Sequence, residues 1–258
     1  MLGQSLGSII LGWEALASYV PDIYIDSMGY AFTLPLFKYL GNSKTISYVH
    51  YPTISTDMLE RVANRTEAHN NASFISNSTI LSVAKLQYYK IFAYLYGMMG
   101  RRSDKVMVNS TWTYGHIKQL WKIPDKTFIV YPPCNTSEFK KIQLSTKGQL
   151  PYIIISIAQF RPEKDHSLQI SSFSKFLNSR NDKKNYKLML VGSCRNDGDS
   201  QRVEELKMLC SRLKVEKYVE FKLNISFDEL KDLLSKSMIG IHTMWNEHFG
   251  IGRYMIYL

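Results

Sequence analysis

An acidic residue and two closely spaced glycines, Glu247, Gly250 and Gly252, lie near the end of this chain of 258 residues, just after a short apolar run. A strand in that run would place Glu247 beyond the strand's carboxyl end, where open α/β sheets bind ligands. Glycine lets the backbone approach a ligand closely, and a following helix would direct free N–H groups at a phosphate. The same pattern also fits a loop whose glycines only supply unusual dihedral angles.

Two cations, Arg161 and Lys164, follow another apolar run, residues 152–158. An arginine can hold a phosphate with two N–H groups, and a lysine acts as a compact charge. Together they could neutralise a diphosphate leaving group as its charge develops. The neighbouring Glu163 and Asp165 leave a second interpretation open, which is a salt-bridged surface turn.

Three further polar residues are candidates for chemistry. Asp197 and Asp199 could hold a divalent cation, but their polar setting before a predicted helix favours turn and cap chemistry. His50 follows an apolar run in the first half of the chain. It either faces a ligand site or is a structural histidine, because no base or nucleophile partner is evident beside it.

The segments that must position these residues alternate between apolar runs and helical patterns, which predicts buried parallel strands in doubly wound sheets. The predicted strands are residues 22–26, 44–50, 105–109, 127–131, 152–158, 187–191, 218–223 and 238–242. The predicted helices are residues 1–20, 82–100, 111–121, 167–177 and 201–213, with another opened by a capping box at Ser226.

A polar segment, residues 134–150, separates the two series and predicts a linker. The chain is therefore expected to form two α/β domains, residues 1–140 and 141–252, which would face a ligand-binding cleft, followed by an atypical tail at 253–258. In the first helix, apolar residues at helical spacing predict a face that packs on the sheet. They are Leu6, Ile9, Ile10, Trp13, Leu16, Ala17 and Val20. Two other helices are also expected to turn apolar residues inward, namely Leu168, Phe173 and Leu177 in residues 167–177, and Phe227, Leu230, Leu233 and Leu234 in the last predicted helix.

The net charge of +10, from 32 Lys and Arg against 22 Asp and Glu, favours an anionic partner. Nucleic acid is excluded because no groove-reading motif with interleaved aromatic residues is present. Three cysteines without metal-ligand spacing favour reduced thiols. Six Asn-x-Ser/Thr sequons leave a secreted glycoprotein open, although Glu14 interrupts what would be the apolar core of a signal peptide.

Residues 91–100 are apolar and rich in aromatic side chains, which raises the question of whether the chain contacts a membrane. The apolar residues 91–100 are too few to span a bilayer, which takes about 20 residues in a helix. Their aromatic side chains beside Lys85 and Lys90 could suit a membrane interface, but a buried helix is the favoured interpretation.

In combination, the two α/β halves, the loop of Arg161 and Lys164, and residues 246–252 resemble retaining glycosyltransferases of the GT-B fold that use a nucleotide sugar. Residues 48–52, 109–113, 130–134 and 158–164 make the chain similar to the α-1,2-mannosyltransferases of asparagine-linked glycosylation, hexosyltransferases that extend the dolichol-linked oligosaccharide. The resemblance covers residues 1–252. It implies two Rossmann-like domains and transfer of mannose from GDP-mannose, with retention, on the cytosolic face of the endoplasmic reticulum.

The same resemblance implies roles for individual residues and partners. Arg161 and Lys164 would hold the donor diphosphate, Glu247 would contact the transferred sugar, and His50 would lie on the acceptor side. The residues that would approach the sugar and phosphates are Phe249, Gly250, Ile251 and Gly252. Neither a metal nor another cofactor is implied. The expected partners are a nucleotide sugar, a lipid-linked oligosaccharide, a membrane surface and other mannosyltransferases of the pathway.

The chain also departs from the family pattern. Gln159 stands where many relatives carry the diphosphate arginine, so Arg161 would be its substitute, and Met255 replaces a second glutamate expected to hold the donor ribose. From the resemblance we also expect the start to lie inside the first domain, without the membrane anchor usual in the family. We therefore expect a chain truncated at both ends, with an incomplete second domain and impaired or absent activity. The alternative is a noncatalytic product that associates with the glycosyltransferase machinery.

Overall fold

The computed structural model describes residues 2–63, 79–143, 150–244 and 249–250. The chain divides into two compact units, unit 1 (Met1–Pro132) and unit 2 (Pro133–Leu258). Each unit contains a four-stranded sheet in which every pairing is parallel. Helices fill the connections, as parallel pairing requires.

The predicted strands are all present, with small differences at their ends. Unit 1 pairs its strands in the order β1-β2-β3-β4, and unit 2 in the order β7-β6-β5-β8. The strands are β1 (Ile23–Asp26), β2 (Lys44–Val49), β3 (Lys105–Val108), β4 (Thr127–Ile129), β5 (Tyr152–Ile157), β6 (Tyr186–Gly192), β7 (Val219–Leu223) and β8 (Ser237–Gly240).

The helices of unit 1 are α1 (Leu2–Ser18), α2 (Leu34–Tyr39), α3 (Thr56–Ala63), α4 (Thr79–Gly100) and α5 (Thr111–Trp121), and those of unit 2 are α6 (Ser137–Lys140), α7 (His166–Asn178), α8 (Asp197–Arg212) and α9 (Phe227–Lys236). The predicted caps Ser110 and Ser226 are confirmed, because each hydroxyl accepts a backbone N–H of its helix's first turn. In the described parts of the chain, no helix is both long and apolar enough to cross a bilayer.

The core of unit 1 lies between its sheet and the aromatic face of α4. Phe92 and Tyr96 of α4 are fully buried and pack with Trp121 of α5. Tyr96 also donates a hydrogen bond to the carbonyl of Gly29 at 2.9 Å. One face of α4 is therefore core, as predicted, while Tyr94 on the opposite face is exposed.

The predicted orientation of α1 is only partly correct. This helix turns small residues inward, and a Cβ added to Gly12 would lie 3.1 Å from Thr33 Cγ2, so α1 packs closely on the start of α2. Leu16 is the large apolar residue buried on that face. Of the residues expected to face inward, Leu16 is buried and Ile9 packs against the core, as predicted. The others are exposed, namely Leu6, Ile10, Trp13, Ala17 and Val20.

Unit 2 is doubly wound, with apolar cores on both faces of its sheet. One core joins α7 and α8 to β6, and the other joins α6 and α9 to β5. Part of the predicted linker belongs to this second core, since Phe139 of α6 is buried and its ring meets Phe227 edge-on at 5.5 Å. Most of the residues predicted to face inward on α7 and α9 do so, namely Phe173, Leu177, Leu230, Leu233 and Leu234. Phe227 and Leu168 are about half exposed, so the prediction is wrong for these two.

Candidate functional site

The carboxyl ends of the parallel strands β5, β6 and β8 lie at one edge of the sheet in unit 2. The loop after β5 continues the sheet, because Ala158 N donates to Val191 O at 2.9 Å and Phe160 N donates to Ser193 O at 3.4 Å. At Gly192 a Cβ would lie 2.0 Å from the carbonyl oxygen of Ala158. Only glycine permits this approach, which brings the β5 loop against the end of β6.

Arg161 stands on this loop, just before a single 3₁₀ turn, Pro162–Lys164. Its Nη1 lies 3.7 Å from Glu163 Oε1, and both side chains are about two-fifths exposed. That separation exceeds a direct hydrogen bond, and exposed pairs of this kind are weak. The Nε of Arg161 is buried and has no partner among the described residues. The guanidinium therefore keeps most of its donors for an anionic ligand.

Lys164 closes the same turn, and its Nζ lies 3.0 Å from Met244 Sδ, in the segment that follows β8. A thioether is a weak acceptor. Thr243, beside Met244, bonds to the backbone carbonyl of Lys164 at 2.7 Å. The predicted pair Arg161 and Lys164 is thus brought together on one turn, next to the end of β8.

His166, the first residue of α7, was not predicted as part of this region. Only 2% of it is exposed, its ring stacks on Phe160 with centroids 4.8 Å apart, and neither ring nitrogen has a partner in the described chain. The pKa of His166 is lowered to about 4, chiefly by burial; Asp165 opposes the shift, and the nearby charges of Lys164 and Arg202 contribute to it. His166 is therefore neutral at pH 7.

Asp197 and Asp199 lie in the first turn of α8, where Asn196 is the N-cap and accepts from Asp199 N at 3.0 Å. The Asp199 carboxylate accepts from the Arg195 side chain at 2.9 Å and from the Arg195 backbone N–H at 3.1 Å. The hydrogen bond from Arg195 holds the pKa of Asp199 below its usual value. These aspartates form turn and cap structure, as favoured from the sequence. The described residues contain no cluster of His, Cys, Asp or Glu suited to a metal ion.

His50 directly follows β2, at the carboxyl edge of the sheet in unit 1. Its ring is exposed and meets Tyr48 edge-on at 4.7 Å, and its carbonyl accepts from Thr113 Oγ1 at 3.4 Å. It is therefore a surface histidine at the edge where α/β sheets bind ligands. Its acceptor-side role stays a prediction.

A second histidine of unit 1, His116 on α5, was not predicted. It is buried, its Nδ1 lies 2.6 Å from Thr56 Oγ1, and its Nε2 lies 3.8 Å from Asp57 Oδ2. Burial lowers the pKa of His116, and Asp57 opposes the shift. Its ring also meets Trp112, which stacks on Tyr51 at 5.4 Å. The partners on α3 are far from His116 in sequence, so no local pattern could indicate this cluster.

The glycine-containing segment near the end of the chain is described only in part. Gly250 has φ of +72°, in the left-handed region that favours glycine, and Phe249 beside it is half-buried. The other predicted residues of this segment, Glu247, Ile251 and Gly252, lie outside the described residues. Their assignment to the transferred sugar and phosphates stays a prediction.

In the described part of the chain, the asparagine side chains of the sequons form hydrogen bonds within the fold. Asn109 is buried and accepts from Thr113 Oγ1 at 2.7 Å. Both amide atoms of Asn224 bond to the backbone of Cys194. In the folded chain, the buried amide of Asn109 is not available to accept a glycan. Asn135, just before α6, accepts from Ser137 N at 3.1 Å. The other sequons, Asn64, Asn71 and Asn77, lie outside the described residues.

Two sequence-family profiles match the chain. One is described as ALG11 mannosyltransferase N-terminus and covers residues 1–121, and the other as glycosyl transferases group 1 and covers residues 137–252. Among curated relatives, proteins named GDP-Man:Man(3)GlcNAc(2)-PP-Dol alpha-1,2-mannosyltransferase are 59% identical in Mus musculus, 58% in Homo sapiens and 48% in Dictyostelium discoideum. Each match covers 98% of this chain but only 51–52% of the relative. The chain thus spans about half the length of these relatives.

Solved structures with low sequence identity share the fold. A glycosyltransferase from Rickettsia africae is 17% identical with a TM-score of 0.59, and the match covers 93% of this chain and 56% of that one. An OtsA apo structure is 9% identical with a TM-score of 0.71, covering 98% and 59%. Anabaena HepE in complex with UDP is 11% identical with a TM-score of 0.61, covering 90% and 55%. The predicted class, a GT-B-like α/β fold with Rossmann-like domains, is confirmed.

Proposed function

We propose that this chain, which matches the ALG11 mannosyltransferase N-terminus profile over residues 1–121, forms part of a hexosyltransferase that moves mannose from GDP-mannose to a dolichyl-diphosphate-linked oligosaccharide. The linkage formed would be α-1,2, with retention at the anomeric carbon, in the assembly of the protein N-glycosylation precursor. The relatives carry this activity in their names, and the chain spans about half their length. The reaction is therefore proposed for the whole protein, and donor binding for unit 2.

The observation that supports donor binding is the turn that carries Arg161 and Lys164 at the carboxyl edge of unit 2. Arg161 offers a planar set of donors with an unpartnered Nε in the described chain, and Lys164 offers a compact charge. Arg202 adds a third cation behind the loop, where its Nη1 donates to the Phe160 carbonyl at 3.3 Å. These groups would bind the two phosphates of GDP and stabilise the charge that develops on the leaving group.

The remaining roles follow from the family pattern. Glu247 would contact the transferred mannose, and the backbone at Phe249, Gly250, Ile251 and Gly252 would approach the sugar and phosphates. His50, exposed at the carboxyl edge of unit 1, would lie on the acceptor side. Because Arg161 and Lys164 supply positive charge at the diphosphate, the reaction would need neither a metal nor another cofactor.

The proposed location is the cytosolic face of the endoplasmic reticulum membrane, where the acceptor lipid is assembled. A net charge of +10 suits the surface of an anionic membrane and an anionic lipid diphosphate. Other mannosyltransferases of the same pathway would be its protein partners. Flotation of the chain with vesicles containing anionic lipid, compared with neutral vesicles, tests the membrane contact.

Isothermal titration calorimetry with GDP-mannose, GDP and UDP-glucose tests the donor site. We expect the guanine nucleotides to bind more tightly than UDP-glucose. Lys164→Ala and Arg161→Ala should each weaken GDP binding about tenfold or more, as expected for a lost hydrogen bond to a charged group. Lys175→Ala, which removes an exposed lysine from the same helix that follows the turn, is the matched control. Equal affinity for UDP-glucose would refute GDP-mannose as the donor. Unchanged GDP binding in both variants would refute the assignment of Arg161 and Lys164 to the diphosphate.

Mannose transfer can be tested in a chimera. The matching residues of the Mus musculus relative are replaced by this chain, and labelled mannose from GDP-mannose is followed into a dolichyl-diphosphate oligosaccharide. We expect a labelled product whose mannose an α-1,2-specific mannosidase releases, and loss of transfer with Lys164→Ala. A product that resists this enzyme would contradict the proposed linkage.

A further inference from the structure

The hydroxyl of Thr243, in the segment just after β8, connects the parts of unit 2 that carry the candidate donor site. It donates to the carbonyl oxygens of Lys164 at 2.7 Å and Asp165 at 3.1 Å, and it accepts from Gln169 Nε2 at 2.8 Å. A hydroxyl has one proton and two acceptor lone pairs. The two carbonyls therefore share the proton, and the amide of Gln169 must present its NH₂ group to the oxygen.

The hydrogen bond from Gln169 to Thr243 would be costly in free energy to lose. The residue lies on α7 and is only 2% exposed. Its Oε1 already lacks a partner in the described chain. Losing the bond to Thr243 would leave the whole amide buried without a hydrogen bond, which is unfavourable. Thr243 is thus tied to the packed body of α7 as well as to the turn that precedes it.

The backbone that Thr243 holds is strained. Asp165 has φ of +47° and ψ of +53°, in the left-handed region, which is unfavourable for a residue with a side chain. Its side chain caps α7 by accepting from Leu168 N at 3.1 Å. The bond from Thr243 to the Asp165 carbonyl stabilises this conformation at the point where the chain leaves Lys164.

Lys164 is contacted at both ends by the segment after β8. Its carbonyl accepts from Thr243, and its Nζ lies 3.0 Å from Met244 Sδ. A lysine side chain has many rotamers, so the ammonium is placed reproducibly only if its backbone is fixed. A phosphate oxygen is a stronger acceptor for the Lys164 ammonium than this thioether is.

We propose that Thr243 is a positioning residue for recognition of the donor diphosphate. Its hydroxyl holds the turn so that the ammonium of Lys164 stands at the end of β8, where the phosphates would bind. This inference rests on the proposed function, in which Lys164 binds the donor. Thr243 would touch neither the sugar nor the phosphates, and its effect would pass through Lys164.

The test is a double-mutant cycle on GDP binding by this chain, measured by titration calorimetry, with Thr243→Val, Lys164→Ala and the double variant. Valine keeps the shape of threonine and removes the hydroxyl. We expect Thr243→Val to weaken GDP binding about tenfold, the effect of one or two lost hydrogen bonds, and to leave binding of guanosine unchanged. In the Lys164→Ala background the same substitution should have no further effect. Thr243→Ser, which keeps the hydroxyl, should restore GDP affinity to within about twofold of the unchanged chain.

Three outcomes would overturn the inference while the unchanged chain binds GDP. They are full GDP affinity in Thr243→Val, an equal loss of GDP and guanosine binding, and an undiminished effect of Thr243→Val in the Lys164→Ala background. If the unchanged chain does not bind GDP, the proposed function is refuted, and this inference, which rests on it, is refuted as well. Should Thr243→Val not fold, Gln169→Met breaks only the contact from α7, and we expect it to weaken GDP binding about threefold, again only while Lys164 is present.

Discussion

Replacing His166 should remove much of the acid sensitivity of unit 2. In the folded chain its pKa is lowered to about 4 from an ordinary value of 6.5. A histidine with a depressed pKa binds fewer protons when folded, so its stability contribution is complete above pH 6.5 and is lost as the pH falls toward 4. The shift corresponds to roughly 3 kcal/mol in total, of which about 2 kcal/mol is lost at pH 5.

The structure identifies the groups that set this pKa. Burial against Phe160 is the largest cause, and Lys164, Arg202 and His242 lower the value while Asp165 raises it. Neither ring nitrogen has a partner in the described chain. His166→Leu therefore removes no hydrogen bond, and at pH 7.5 we expect stability equal to or above that of the unchanged chain.

Hydrogen exchange of peptides from β5 and α7, corrected for the intrinsic exchange rates, reports the stability of unit 2 at each pH. Between pH 7.5 and 5, the unchanged chain should lose about 2 kcal/mol more than His166→Leu. His50→Leu, which changes an exposed histidine of unit 1, is the control and should leave this difference in place. Equal pH dependence in the unchanged chain and His166→Leu would refute the reasoning, as would a His166 pKa near 6.5 by NMR titration.

Further substitutions test the support of the β5 loop. Gly192→Ala should destabilise unit 2 by about 1–3 kcal/mol and weaken GDP binding, because its Cβ would meet the Ala158 carbonyl. Thermal unfolding checks this, with Gly198→Ala as the control, because a Cβ there would make only an ordinary contact of 3.5 Å with Asn196 Oδ1. Phe160→Ala, at a fully buried ring, should cost about 3–5 kcal/mol in urea unfolding. Endoglycosidase should leave the mass of the purified chain unchanged, because the proposed cytosolic location keeps all six sequons away from glycosylation; a mass loss would contradict that location.

The strands and the candidate cations could be predicted because both are local properties of the sequence. An apolar run such as residues 152–158 becomes a buried parallel strand wherever helices cover both faces, and the residues that follow it then stand at the carboxyl edge. Arg161 and Lys164 are therefore predictable at the carboxyl edge of unit 2, and His50 at that of unit 1.

What could not be predicted depends on partners distant in sequence. The apolar spacing of α1 indicates a helix but does not say which face is covered, and close packing through Gly12 leaves Trp13 exposed. Thr243 shows no motif of its own, since its role comes from carbonyls almost eighty positions earlier. The contact of His116 with Thr56 likewise joins residues sixty positions apart.

A neutral His166 allows the positive charges of Lys164 and Arg202 to lie close together. Lys164 and Arg202 both lie near its ring, so a protonated His166 would add a third positive charge in a place that water does not reach. Stacking on Phe160 excludes that charge and leaves the positive groups at the surface, where a ligand can reach them. A diphosphate bound at Lys164 would partly cancel the repulsion and raise the pKa of His166. GDP should therefore reduce the acid sensitivity of unit 2, and an equal pH dependence with and without saturating GDP would contradict the placement of the phosphates beside this turn.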